Sequence, residues 1–241
     1  MIELKNVFFK YKDEEVLKNI NLKIGQGDSI ALIGANGSGK STLLKLLNGI
    51  IFPSSGDYYF NNVLISKDKL EQSDFSKKFH KKMGFVFQNS DAQLFCSNVY
   101  EEVAFGPRQM GMDEDEVEKR VNDCLNLLNV KDLENKEPYN ISGGEKKRVA
   151  IASVLALNPE VLVLDEPMSG IHPKGKKFLN DLFKKLNGVG KTIICSTHDF
   201  EYVKGLFRRV LVFSEDHRII RDDAYSRVIQ DNDFLIKCNI K

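Results

Sequence analysis

A chain of 241 residues with 42% hydrophobic residues suffices for one large domain, or a domain with a subdomain, around a packed core. Thirty-five basic against 34 acidic residues leave a net charge of +1, which gives no electrostatic reason to expect a nucleic acid or an anionic membrane as partner. Cys96, Cys124, Cys195 and Cys238 form no CxxC pair, which argues against a zinc site or disulfide framework and predicts reduced thiols, while no signal peptide opens the sequence and no apolar run approaches the roughly 20 residues that span a bilayer.

The first 33 residues read as strands. IELKNVFF and NINLKI alternate apolar and polar side chains, and DSIALIG is a short buried strand. That strand runs into GANGSGKST, which fits G-x-x-x-x-G-K-[ST] between a strand and a helix. Backbone N–H groups along Gly34, Ala35, Asn36, Gly37, Ser38 and Gly39 can turn inward around phosphate oxygens. Lys40 is placed to neutralise the β- and γ-phosphates, Ser41 to ligate Mg²⁺, and Thr42 completes the phosphate-binding set. KSTLLKLLNGI has helical spacing and stops at Gly49. FPSSGDYYFNN is turn-rich with a strand at GDYYF, residues 72–82 predict an exposed basic helix, and MGFVFQ is a strand.

From 89 to 158 the character changes. DEDEVEKRVNDCLNLLNV has an acidic first turn and apolar residues at i, i+3, i+4 spacing, and a further helix runs to about Leu157. This stretch reads as a helical subdomain inserted into a single α/β domain spanning 1–241. The later helix opens on NISGGEKKR, where Ser142, Gly143 and Gly144 prepare a second anion site at a helix N-terminus.

EVLVLDEP then reads as a strand buried on both faces that ends in two acids. Ligands in open α/β sheets bind outside those strand ends. Asp165 is placed to hold Mg²⁺ through water, and Glu166 to orient and polarise an attacking water. A helix from about Pro173 to Leu186, the strand KTIICST, a short helix near 199–206, the strand RVLVF, and a last strand with a short helix complete the chain. Strands alternating with helices imply a mostly parallel sheet covered on both faces.

The order of these motifs resembles the ATP-binding cassette (ABC) ATPases along nearly the whole chain. The resemblance implies a P-loop NTPase core, an N-terminal antiparallel β-subdomain and an inserted helical subdomain. ISGGEKKR resembles the family's signature, with Glu145 where Gln is usual. Gln88 matches the family's Q-loop glutamine, a catalytic and Mg²⁺-binding position. His198 in STHD matches the switch histidine, and Tyr11 the aromatic that stacks on adenine. In this family two cassettes pair head to tail, so Ser142, Gly143, Gly144 and Glu145 would serve the partner's ATP.

Residues 88–112, QNSDAQLFCSNVYEEVAFGPRQMGM, resemble the energy-coupling-factor (ECF) transporter ATPases, especially those of cobalt and nickel uptake. Ser90 and Ala92 depart from that pattern. The resemblance implies an ATP-hydrolysing subunit at the cytoplasmic face of the cell membrane, powering import of cobalt, nickel or a vitamin. It would pair with itself or a related cassette, and with a transmembrane coupling subunit and a substrate-capture membrane protein. The acidic pair Glu101 and Glu102 is expected on the docking surface. His172 stands where the family has an interfacial Asp ahead of a helix, and the end at Lys241 leaves the dimer-stabilising C-terminal segment of many ECF ATPases in question. The rival reading is a soluble ABC ATPase without a transport role, such as one in iron–sulfur assembly.

Overall fold

Two sheets share the apolar face of one helix in the computed structural model, which describes residues 1–200 and 202–240. β1 (Ile2–Tyr11) and β2 (Glu14–Ile24) form a hairpin, followed by β3 (Ser29–Gly34), α1 (Lys40–Leu47), β4 (Ser55–Phe60) and β5 (Val63–Leu64). The first sheet has the order β2-β1-β4-β5 and is antiparallel throughout. Then come α2 (Lys67–Leu70), α3 (Ser73–Lys82) and β6 (Met83–Val86), the helices α4 (Val99–Gln109), α5 (Glu114–Leu127) and α6 (Gly143–Leu155), and β7 (Val161–Asp165). α7 (Pro173–Gly188), β8 (Thr192–Ser196), β9 (Arg209–Phe213), β10 (Ile219–Ala224), α8 (Tyr225–Gln230) and α9 (Asn232–Lys237) follow. The second sheet has the order β10-β9-β3-β8-β7-β6, parallel except for the antiparallel edge strand β10. The expected α/β architecture with its antiparallel N-terminal sheet is the observed one.

The central strands read as unbroken apolar runs, yet their side chains part by the two-residue period of a pleated strand. Ala31, Ile33, Leu162, Leu164, Ile193 and Cys195 join the core under the inserted helices and α7. Ile30, Leu32, Val161, Val163 and Ile194 face the opposite way, into the core built with α1 and the antiparallel sheet. Both faces of the parallel sheet are therefore dry, and its polar ends are left for chemistry.

Local signals set the helix starts. Asp113 accepts from the Glu116 N–H, and Glu114, Asp115 and Glu116 fill the first turn of α5, where acidic groups suit the helix dipole. The helix expected near 199–206 is instead a run of turns over 202–206, with Glu201 outside the described residues. The final segment forms two short helices rather than one. Tyr225, Val228 and Leu235 sink into the main core; Lys241 lies outside the described residues.

Candidate functional site

Three neighbouring parallel strands, β3, β8 and β7, end side by side, and their last residues are Gly34, Ser196 and Asp165. Beyond these ends lies a cleft of ≈ 820 Å³, lined by the 36–42 loop on one side and by Gln88, Asp165, Glu166 and His198 on the other. The loop delivers α1 with Gly39 as N-cap. No side chain caps this helix and no acid occupies its first turn, so its N–H groups and positive dipole end are left for an anion. Lys40 is buried, and its Nζ donates to the Gly34 and Ala35 carbonyls at 2.9 Å each. Burial holds its pKa below the usual value, against the pull of Glu166 and Asp165. An arriving phosphate would take over those donors.

Asp165 is buried, and its Oδ1 accepts from Ser41 Oγ at 3.1 Å and from Ser196 Oγ at 2.6 Å. Ser196 Oγ in turn accepts the Glu166 N–H at 2.9 Å, so one serine aligns both acids. Glu166 sits at φ 46°, a strained value for a residue with a side chain. Its Oε1 is buried and makes no hydrogen bond; His198 Nε2 lies 3.3 Å away without the geometry for one. Burial, then the Asp165 charge, push the Glu166 carboxyl above its ordinary range, while Lys40 opposes them. Burial and Lys40 push the His198 imidazole below its ordinary value, so it is neutral at pH 7.

Among the described residues no three His, Cys, Asp or Glu side chains converge as a metal cluster. Mg²⁺ fits nonetheless. Ser41 and Asp165 present oxygens to each other, and the orphaned Glu166 Oε1 beside them lacks a partner that a bound water would supply.

Tyr11 is not brought into this cleft: it is 45% exposed, with its ring edge-on to Phe9 at 4.7 Å. Its strand partner Glu14 lines the cleft instead. Nor do Ser142, Gly143, Gly144 and Glu145 line it. They form the N-terminus of α6, closed by a capping box. Ser142 Oγ accepts from the Glu145 N–H, and Glu145 Oε2 accepts from Ser142 N–H at 2.7 Å and Ser142 Oγ at 2.6 Å. The Ser142 hydroxyl and N–H hold the Glu145 carboxyl below the usual range. A Cβ on Gly143 or Gly144 would meet nothing within 4 Å, so nothing inside this chain asks for glycine there.

Two polar residues near the cleft escaped sequence reasoning. Ser196 is buried at a strand end, where only the β7–β8 register reveals its partner. Lys147, not singled out by the sequence, is only 4% exposed, its Nζ donating to the Phe87 and Gln88 carbonyls at 3.1 and 2.6 Å. The expectation for Glu102 is also corrected. It is 3% exposed, and its Oε2 accepts the Phe95 and Cys96 N–H groups at 2.8 Å each, so it holds the loop from inside. Glu101 remains at the surface, paired with Arg108. What the 88–112 stretch does expose is an aromatic pair: Phe95 and Phe105 are 68% and 42% exposed, edge to face at 5.0 Å.

The family model described as ABC transporter matches residues 17–169. A nickel import ATP-binding protein of Lactiplantibacillus plantarum is 46% identical over 222 residues, covering 92% of each chain. An energy-coupling factor transporter ATP-binding protein of Methanocaldococcus jannaschii is 41% identical over 242 residues, covering 100% of this chain and 85% of the other. Among solved structures, a Clostridium perfringens cassette that is part of the cbiONQ ABC transporter complex superposes with TM-score 0.83 at 37% identity, covering 100% of this chain and 94% of that one. An ATP-binding cassette solved as a dimer in a post-hydrolysis state with ADP and phosphate superposes with TM-score 0.82 at 30% identity, covering 93% and 98%.

Proposed function

The chain belongs to the ABC transporter family, and from that membership we propose how its residues turn ATP hydrolysis into import. It is the ATP-hydrolysing subunit of a multi-subunit transporter of the ECF type, working with a second cassette and with membrane-spanning subunits. The observation that carries the proposed site is the convergence of Lys40, Ser41, Asp165 and Glu166 at the ends of three adjacent strands.

The loop 34–42 holds the triphosphate, with Lys40 released from the Gly34 and Ala35 carbonyls onto the β- and γ-phosphates. Ser41, Asp165 and Gln88 are the residues that would hold Mg²⁺, which when bound neutralises the phosphate charge that develops during transfer. Glu166 accepts a hydrogen bond from the attacking water. The water oxygen bonds to the γ-phosphorus, the bond from that phosphorus to the β,γ-bridging oxygen breaks, and Glu166 takes up the water's proton, leaving ADP and phosphate. The raised Glu166 pKa makes it a better proton acceptor than an exposed carboxylate would be. Neutral His198 donates to the γ-phosphate, and Tyr11, exposed beside the cleft-lining Glu14, stacks on adenine at the mouth of the cleft.

Ser142, Gly143 and Gly144 meet the partner cassette's γ-phosphate. The glycines, open and unexplained by internal packing, support a close approach from outside the chain. The helical unit at 89–158 carries that signature, and the Phe95–Phe105 pair docks the membrane subunit at the cytoplasmic face. No described helix is long and apolar enough to cross a membrane. The cargo is nickel, on the likeness to the nickel import protein, or cobalt, on the resemblance of residues 88–112 to the cobalt and nickel uptake ATPases. Reconstituting the chain with its membrane subunits in vesicles tests this: ATP-driven nickel or cobalt uptake is expected. Hydrolysis by a cassette that assembles with no membrane subunit would favour the non-transport reading.

A further inference from the structure

The loop that carries Gln88 is attached to the signature helix at three points. Gln93 Oε1 accepts the Phe87 N–H at 3.1 Å while its Nε2 donates to the Ala150 carbonyl at 2.9 Å. Lys146 pairs with Asp91 at 2.7 Å on the surface. Lys147 alone reaches the Gln88 backbone, from a buried position one turn along α6 from Gly143.

A buried ammonium is expensive to desolvate and is retained only where acceptors meet it. Here the acceptors are two consecutive loop carbonyls, Phe87 and Gln88. Burial lowers the Lys147 pKa, and the Asp165 and Glu166 charges work against that lowering, so the side chain also faces the field of the catalytic acids. Packing alone would be met by an apolar side chain of similar volume.

We propose that Lys147 is a positioning residue that pins the Gln88 backbone to the signature helix and so sets the Gln88 side chain against the metal-binding oxygens of this chain's own ATP site. The proposal rests on the reading of Gln88 as a ligand of Mg²⁺. One helix then serves two sites: its first residues meet the partner's ATP, and its fifth residue orders the loop beside its own.

K147M keeps length and volume, and Gln93 still anchors the loop, so the variant should fold. K147Q keeps a donor without the charge. In nucleotide-free protein, amide exchange over 87–92 should rise about tenfold in K147M and stay near wild type in K147Q. The Mg²⁺ concentration for half-maximal hydrolysis should rise by about tenfold in K147M, the scale seen when a residue supporting a metal ligand is lost, with ATP affinity within about twofold of wild type. Q88A separates the layers. If Q88A shifts the Mg²⁺ dependence and K147M does not, the proposal fails and the Gln88 reading stands; if neither shifts it, the Gln88 reading fails first. An unfolded K147M with a K147Q no better in exchange or Mg²⁺ dependence would make Lys147 a structural residue and overturn the proposal.

Discussion

The two glycine-bearing helix starts, at α1 and α6, look alike in sequence and differ in what demands their glycines. Gly39 at α1 has φ 107°, and a Cβ there would lie 2.5 Å from the Val16 carbonyl oxygen. Its requirement is internal. Gly143 and Gly144 at α6 face open space, so nothing inside the chain requires them. The electrostatics differ in the same way. α1 leaves its first turn without a capping side chain or an acid, whereas α6 fills its own with the Glu145 carboxylate. The first start is therefore open to an anion as it stands, and at the second the partner's phosphate that we propose would have to displace or share the Glu145 contacts. At these two helix starts, then, one pair of demands is met inside the chain, and the other fits the approach of a second cassette that we propose.

The largest expected effect comes from breaking the first start. G39A must relieve both a disfavoured φ and a backbone clash, at about 3 kcal/mol, and nucleotide binding should be lost with it. Thermal melting with and without ATP checks this, and a melting temperature equal to wild type would remove the internal-demand argument.

E166Q leaves both helix starts intact and removes the proton acceptor that we propose. Hydrolysis should fall roughly a hundredfold while ATP still binds, and the ATP-bound dimer should accumulate on gel filtration. The fold should respond with a definite sign. Burial raises the Glu166 pKa in the native state above its unfolded value, so the native state holds that proton more tightly and loses stability as pH rises through the folded pKa. E166Q removes that loss. It should melt higher than wild type at pH 7, and the gap should close as pH falls below the carboxylate range.

G144A sharpens the comparison because its two effects oppose each other. Alanine suits a helix better than glycine, so the isolated chain should gain about 0.5 kcal/mol. In the E166Q background, however, the added methyl stands where we propose that the partner's phosphate approaches, and the ATP-dependent dimer should weaken by at least tenfold in sedimentation equilibrium. A G144A dimer as tight as its parent would place the partner's ATP elsewhere.

The smallest effect is at α7, where His172 caps the helix with Nδ1 accepting the Gly175 N–H at 3.3 Å, a long bond. H172D supplies a better acceptor and a charge suited to the dipole, worth about 0.5–1 kcal/mol. Homodimer turnover should rise several-fold; unchanged turnover at matched dimer content would make His172 a neutral variation.

Much of this molecule was written in short-range patterns. The strand-loop-helix of 29–47, the acids closing 161–166 and the acidic start of α5 each follow from neighbours within a few residues, because caps, turns and strand periodicity are local forces. What local pattern could not reveal is where a polar side chain finds its partner through space. Glu102 looked like a surface acid until the 95–96 loop folded onto it, and nothing near Lys147 in the sequence points to the Gln88 loop that its side chain meets. Ser196 became the aligner of Asp165 and Glu166 only through pairing of strands 31 positions apart. The split of each apolar strand between two cores was likewise invisible as a run of Val, Leu and Ile. In each case the deciding energy is desolvation: a buried polar group must be satisfied by whatever the fold brings beside it, and only the assembled tertiary structure says what that is.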